Sequence, residues 1–220
     1  MIRPLKKDAL GEVRIVQHPH PACVKGLCVE RDTAAARAWL RPLARRLARR
    51  EAAALRAADG LRGVPRLIGF DGRSVLRGYI EGLPMYEAVP RSPEYFRSAL
   101  RLLAALHRRG IAHNDAAKEA NWLCTPDGEA ALVDFQVAMT SRRRGRVFRA
   151  LAYEDLRHLL KHKRTYLPER LTARQRAVLA RRGPLAMLWT LLVKPPYRFV
   201  TRVLLGWPER VGPRERQDAA

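Results

Sequence analysis

Between His113 and Gln136 the chain gathers residues that could do chemistry. His113-Asn114-Asp115-Ala116-Ala117-Lys118-Glu119-Ala120-Asn121 leads into the apolar run Trp122-Leu123-Cys124, and a second apolar run, Ala130-Ala131-Leu132-Val133, leads into Asp134-Phe135-Gln136. The turn residues Pro126-Asp127-Gly128 lie between the two runs, so the pattern predicts loop, strand, tight turn, strand, loop. A hairpin brings the chain back to the end from which it set out. Asp115 and Asn121 precede its first strand and Asp134 follows its second, so all three side chains are expected at one end. Their oxygens are hard donors, and one magnesium-phosphate site could use all three. Taken singly, each aspartate also reads as an ordinary cap or turn former.

The elements that must position this end are legible on either side. Phe96, Leu100, Leu103, Ala104 and His107 recur at helical spacing from Tyr95 to Arg109, with Gly110 as the stop, and His107 is expected to be packed or half-exposed there. Leu156, Leu159 and Leu160 mark a further helix through Tyr153 to Leu160, and a last one is expected from Leu171 to Arg182. Nearer the N-terminus, Val13 and Ile15 alternate with Glu12 and Arg14 in a predicted strand over 8–16, which the turn His18-Pro19-His20-Pro21 returns into Ala22-Cys23-Val24-Lys25. Residues 63–70 and 74–80 predict two more strands joined at Asp71-Gly72. A helix is expected from Thr33, as its cap, to Ala58, with Asp59-Gly60 ending it and Pro42 opening a second segment. On that segment Leu43, Leu47, Ala54 and Leu55 line one face, Arg45, Arg46, Arg49 and Arg50 point outward, and Glu51 is the only acid among these arginines.

The His113–Gln136 stretch resembles the catalytic segment of the protein-kinase superfamily, where a His-x-Asp loop with a downstream lysine and asparagine is followed by a strand pair and Asp-Phe-Gly. The resemblance implies an α+β, two-lobed protein-kinase-like fold: an N-lobe over 1–80 with a small antiparallel sheet and the Glu51 helix, and a mainly helical C-lobe over 81–183. It implies ATP and Mg²⁺ as cofactors, Asp115 as the base for an acceptor hydroxyl, Lys118 as a charge on the transferred phosphoryl group, and Asn121 and Asp134 as magnesium ligands. Lys25 would pair with the α- and β-phosphates, and Glu51 with Lys25. Glu81-Gly82 would be the hinge whose backbone reads adenine, and Asp155 a brace beneath the catalytic loop. Glu51 by itself reads equally well as a surface residue facing Arg46 or Arg50, and Asp155 as a cap.

The chain departs from the family in several places. Five residues, Ala116 to Ala120, separate Asp115 from Asn121, where the family has about four. Gln136 replaces the glycine of Asp-Phe-Gly, and the lid over the phosphates retains only Gly11. No Ala-Pro-Glu and no long activation segment follow Asp134, so the platform for an extended peptide is missing. That shortening resembles RIO-type atypical kinases and bacterial lipopolysaccharide-core (Kdo and heptose) kinases.

Composition supplies the setting. Lys+Arg 43 against Asp+Glu 21 gives a formal net charge of +22, spread along the length, so the surface is expected to meet anions. The arginines have few interleaved aromatics and no nucleic-acid motif, which argues against nucleic acid as the partner. An anionic hydroxyl-bearing acceptor, either a lipopolysaccharide-core sugar or a protein serine or threonine, fits the resemblance. Cys23, Cys28 and Cys124 make no zinc pattern, so free thiols are expected; with no secretory signal at the start, this points to the cytoplasm. Residues 184–210 predict an apolar and basic helical extension, suited either to an anionic membrane surface or to finishing the core, and 211–220 a polar tail. Two function classes follow: an ATP-dependent kinase, and a pseudokinase scaffold that binds nucleotide or a partner without turnover.

Overall fold

Five strands, β1 (Arg3–Asp8), β2 (Gly11–Gln17), β3 (Leu27–Asp32), β4 (Leu67–Phe70) and β5 (Ser74–Gly78), form an antiparallel sheet in the order β1-β2-β3-β5-β4. The structure is a computed structural model that describes residues 3–181; the expectations for 184–210 and 211–220 lie outside the described residues. Gly11, the expected lid glycine, has φ +132° at the turn from β1 to β2, and a Cβ there would run into the carbonyl of Asp32 on β3. The sheet therefore needs glycine at this point for strand packing.

The third strand starts later than the sequence predicts. Residues 18–26 form a looping connection, and β3 begins only at Leu27. Its register sets Val29 opposite Arg77 and Arg31 opposite Val75 on β5, so Arg31 and Arg77 lie diagonally on one face. The connection is closed by a disulfide between Cys23 and Cys28, whose Cα atoms stand 5.2 Å apart, well inside disulfide reach. This corrects the expectation of free thiols, which holds for Cys124 alone, and removes the cysteine-based argument for a reducing compartment.

Helix α1 (Arg41–Ala57) packs on the sheet, with Pro42 in its first turn as the sequence predicts and a short 3₁₀ turn, Ala38–Leu40, before it. Thr33 is not its cap: the Thr33 hydroxyl donates to the Arg73 carbonyl at 2.7 Å. The buried face is Ala44, Ala48, Glu51, Ala52, Ala54 and Leu55, while Leu43 is exposed and the four arginines point outward. Small alanines bring the helix close enough to the sheet to bury a glutamate on the same face.

The remaining chain is mainly helical. After β6 (Leu83–Pro84) and the short α2 (Met85–Ala88) comes α3 (Pro93–Arg108). Ser92 caps α3, its hydroxyl accepting from the Glu94 N–H at 3.1 Å. Gly110 ends it at φ +73°, where a left-handed residue turns the chain into β7 (Ile111–Ala112). The predicted hairpin is present as β8 (Trp122–Cys124) and β9 (Ala130–Leu132), with β6 alongside β8. Then β10 (Met139–Thr140) pairs with β7, and α4 (Arg146–Tyr166) and α5 (Ala173–Ala180) follow. One apolar cluster joins α1 (Ala52, Leu55), α3 (Phe96, Leu103, Leu106), the hairpin (Trp122, Leu132), Phe135 and Leu159. Each of the larger side chains contributes about 1.5–3 kcal/mol by leaving water. The fold is mixed α+β, and among the described residues no helix is long and apolar enough to cross a membrane.

Candidate active site

The loop from β7 to β8 is held from beneath. Asp155 of α4, 1% exposed, accepts from the backbone N–H of His113 at 2.7 Å and of Asn114 at 2.8 Å. It is the expected brace, and His107 Nε2 lies 3.3 Å from the same carboxylate. The buried His113 ring meets Phe135 edge-on at 4.7 Å, and its Nε2 bonds the Val133 carbonyl at 3.0 Å. With that carbonyl as acceptor, Nε2 carries the ring proton. Burial lowers the pKa of His113 and keeps it neutral. The loop before the hairpin and the loop after it are thus locked to one another.

Within the loop, one oxygen of Asp115 gathers two partners: Lys118 Nζ donates to Oδ2 at 2.6 Å and Asn121 Nδ2 to the same atom at 2.9 Å. Asn121 Nδ2 also reaches the Asp115 carbonyl at 3.0 Å. The loop between Asp115 and Asn121 ends in the 3₁₀ turn Glu119–Asn121. The carbonyl of Ala116 is pinned there by Trp122 Nε1 and His162 Nε2, each at 3.0 Å. With five residues between them, Asp115 and Asn121 are in direct contact.

Asp134 leaves the hairpin at φ +68°, a left-handed conformation uncommon outside glycine, asparagine and aspartate. Val133 N–H bonds the Asn121 carbonyl at 2.9 Å, which seats Asp134 at the Asn121 end of the hairpin. Gln136 Nε2 donates to Asp134 Oδ1 at 2.7 Å, and Arg31 Nη2 lies 3.6 Å from the same oxygen. Burial opposes ionisation of this carboxyl, but Arg31, Arg77, Gln136 and Lys118 outweigh it and hold the pKa below the ordinary value. Asp134 is an anion whenever the fold is intact near neutral pH.

The cation paired with Glu51 is not the one the resemblance implied. Lys25 sits in the connection before β3 at φ +53°, 69% exposed, and pairs with Glu81 Oε2 at 2.9 Å. Glu51 is fully buried and pairs with Arg31 Nε at 3.0 Å and with Arg77 Nη1. The expected Lys25–Glu51 pair is therefore replaced by Arg31–Glu51, because β3 starts at Leu27 and carries Arg31, not Lys25, onto the face opposite α1. The alternative of a surface Glu51 facing Arg46 or Arg50 is excluded by the same burial. Burial lowers the pKa of Arg31, and that of Arg77 to about 10, with Arg31 adding to the latter. The sequence reading missed both arginines. The available signal was Val29 and Arg31, two apart, in a strand reading Cys28-Val29-Glu30-Arg31.

The expected hinge lies beside β8. Gly82 packs so closely that a Cβ would come within 2.8 Å of the Cys124 carbonyl, and Glu81 meets Lys25 at its other edge. For a divalent cation, Asp134 offers a carboxylate and Asn121 an amide oxygen, its Nδ2 being already committed to Asp115. Among the described residues no three His, Cys, Asp or Glu side chains gather as a metal cage. Magnesium commonly binds through one or two side-chain oxygens plus phosphates and waters, so the donor set fits it without a cage. No protein-family model matches the sequence, and no curated protein matches it significantly.

Proposed function

We propose that this chain is an ATP- and magnesium-dependent phosphotransferase of reduced, two-lobed protein-kinase-like fold, passing the γ-phosphate to a hydroxyl. One observation carries the reading: Asp134 is joined to the Asp115–Lys118–Asn121 contact set through the bond from the adjacent Val133 N–H to the Asn121 carbonyl, and to the buried Arg31–Glu51 pair through Arg31. Asp115 accepts the hydroxyl proton, and Lys118, which touches Asp115, offsets charge on the phosphoryl group in flight. Arg31, oriented by Glu51, offers its fork to the phosphates in place of a lysine. Bound by Asp134 and Asn121, Mg²⁺ would neutralise phosphate charge. The backbone of Glu81-Gly82 would read adenine.

The acceptor is best read as an anionic hydroxyl-bearing molecule. From β10 the chain passes into α4 at Arg146 after only a short connection, which leaves little room for a peptide-docking segment. Anionic sugars, including lipid-linked ones, suit a surface of formal charge +22 better than an extended peptide does. The test is Mg²⁺-dependent ATP consumption by the purified chain, lost in both Asp115→Ala and Asp134→Ala.

A second reading, a scaffold that binds nucleotide without turnover, draws on Asp134 itself. Gln136 and Arg31 both engage Oδ1, so one oxygen of the expected metal ligand is already occupied. Tight ATP binding by the wild type with no phosphate release at any Mg²⁺ concentration would favour it.

A further inference from the structure

A second cationic feature lies away from the Asp115–Asp134 constellation. Where the C-terminal end of α3 meets the start of α4, a groove of about 450 Å³ is lined by His107, Arg108, Arg144, Phe148, Arg149 and Ala152. Its lining holds three arginines and no carboxylate. The first turn of α4 has no acidic residue either, and neither Arg144 nor Arg149 forms an ion pair among the described residues. Phe148, 3% exposed, forms an apolar floor and meets the His107 ring edge-on at 6.4 Å. The arginines line the groove mainly with their apolar stems; long and exposed at Arg144 and Arg149, they can bring guanidinium N–H donors to the oxygens of a phosphate ester whose carbon skeleton rests on the apolar floor.

The groove also has a fixed relation to the catalytic loop. His107 on its lining touches Asp155, and Asp155 holds the backbone of His113 and Asn114, immediately before Asp115. Ser141 N–H bonds the Gly110 carbonyl at 2.8 Å, pinning the strand that leads from Asp134 toward Arg144 against the start of β7. Asp115 is seven positions beyond Arg108, so the two lie within about 24 Å along even a fully extended chain. One extended acceptor could reach both.

We propose that this groove docks a phosphate group already present on the acceptor, remote from the hydroxyl that reacts. The acceptor is then a molecule that an earlier phosphorylation or phosphodiester-forming reaction has supplied. This inference rests on the phosphotransferase reading for the acceptor's role, but its binding step can be measured alone.

Glycerol 3-phosphate serves as the probe, with glycerol as the control, titrated into the full chain in about 0.15 M salt to screen non-specific attraction. Saturable binding is expected in the wild type. Each of the exposed changes Arg144→Gln and Arg149→Gln should weaken it about tenfold, the low end for a charge-assisted pair. Binding of a non-hydrolysable ATP analogue should be unchanged in these variants, which also reports that they are folded. Equal probe binding in wild type and the double variant overturns the proposal, as does displacement of the probe by the ATP analogue. If the wild type consumes ATP yet binds no probe, the groove proposal alone falls. If it binds the probe but neither binds nor consumes ATP, the acceptor role falls with the phosphotransferase reading. Vesicles of phosphatidylglycerol that capture the protein equally well with or without Arg144 and Arg149, in the absence of saturable probe binding, would mark the arginines as general surface charge and also overturn it.

Discussion

Arg31 Nη2 stands 3.6 Å from Asp134 Oδ1, so a strand near the N-terminus and the residue that ends the β8–β9 hairpin share one ion pair. The same guanidinium turns its Nε to Glu51 at 3.0 Å. Arg31 is 6% exposed, and removing it leaves the buried Glu51 with Arg77 alone and takes a guanidinium away from Asp134. Breaking a buried pair from one side costs about 3–5 kcal/mol. Arg31→Ala should lower stability by that amount in urea titrations and weaken ATP binding. Arg31→Lys should restore much of the stability and only part of the binding, because an ammonium cannot present a planar fork to Glu51 and the phosphates together. ATP affinity in Arg31→Lys equal to that in Arg31→Ala would remove Arg31 from the phosphate site.

Glu51 and Lys25 separate a buried pairing from an exposed one. Glu51→Gln leaves Arg31 and Arg77 facing each other with no carboxylate between them, and is expected to cost about 3–5 kcal/mol. Lys25→Ala removes a pair that is well exposed on both sides, 69% and 46%, and should change stability by no more than about 0.5 kcal/mol. Chemical denaturation of the two variants side by side checks this. A Lys25→Ala loss as large as that of Glu51→Gln would return Lys25 to the role first expected of it.

These contrasts show where the sequence was readable. The hairpin, Pro42 at the start of α1 and the stop at Gly110 follow from turn chemistry, capping and periodicity, all local signals, whereas the brace at Asp155 was implied only by the resemblance and read from the residue alone equally well as a cap. The register of β3 does not. It depends on how far the Cys23–Cys28 connection extends before pairing resumes, and a shift of the strand start from Ala22 to Leu27 exchanges Lys25 for Arg31. The inward face of α1 was legible only in part: Ala54 and Leu55 are buried as read. Leu43 looked like a core residue, but the sheet accepts alanines and Glu51 because Arg31 and Arg77 wait on its surface. A buried charge becomes visible only when its partners, far apart in sequence, are placed together.

Acid sensitivity follows from groups whose folded pKa lies below the unfolded one. Burial lowers His113, His158 and His162, which stay neutral in the fold. As pH falls below about 6.5 the unfolded chain takes up protons that the folded chain refuses, so stability declines by about 1.4 kcal/mol per pH unit for each such histidine. Asp134 acts at lower pH by the same sign: its contribution is complete above the unfolded value near 4 and is lost as pH falls through the depressed folded value. Urea midpoints from pH 7.5 down to about 5 should fall steadily, and His113→Gln should flatten the slope by about one proton. A flat profile over that range would show these rings to be solvated.

Asp155 separates positioning from contact with the reacting groups. Its carboxylate receives the N–H groups of His113 and Asn114 and touches His107, but nothing in its setting would meet substrate. In Asp155→Asn one acceptor oxygen becomes a donor that opposes a backbone N–H, leaving a buried donor unmade at about 1–3 kcal/mol. The loop carrying Asp115 then loses its fixed backbone while Arg31, Glu51 and Asp134 keep theirs. Turnover should fall at least tenfold with ATP affinity little changed, whereas Asp134→Asn should weaken Mg²⁺-dependent ATP binding itself. If Asp155→Asn lowered ATP affinity as much as turnover, the carboxylate would be supporting the fold as a whole, and the Asp115 loop would not be held by it in particular.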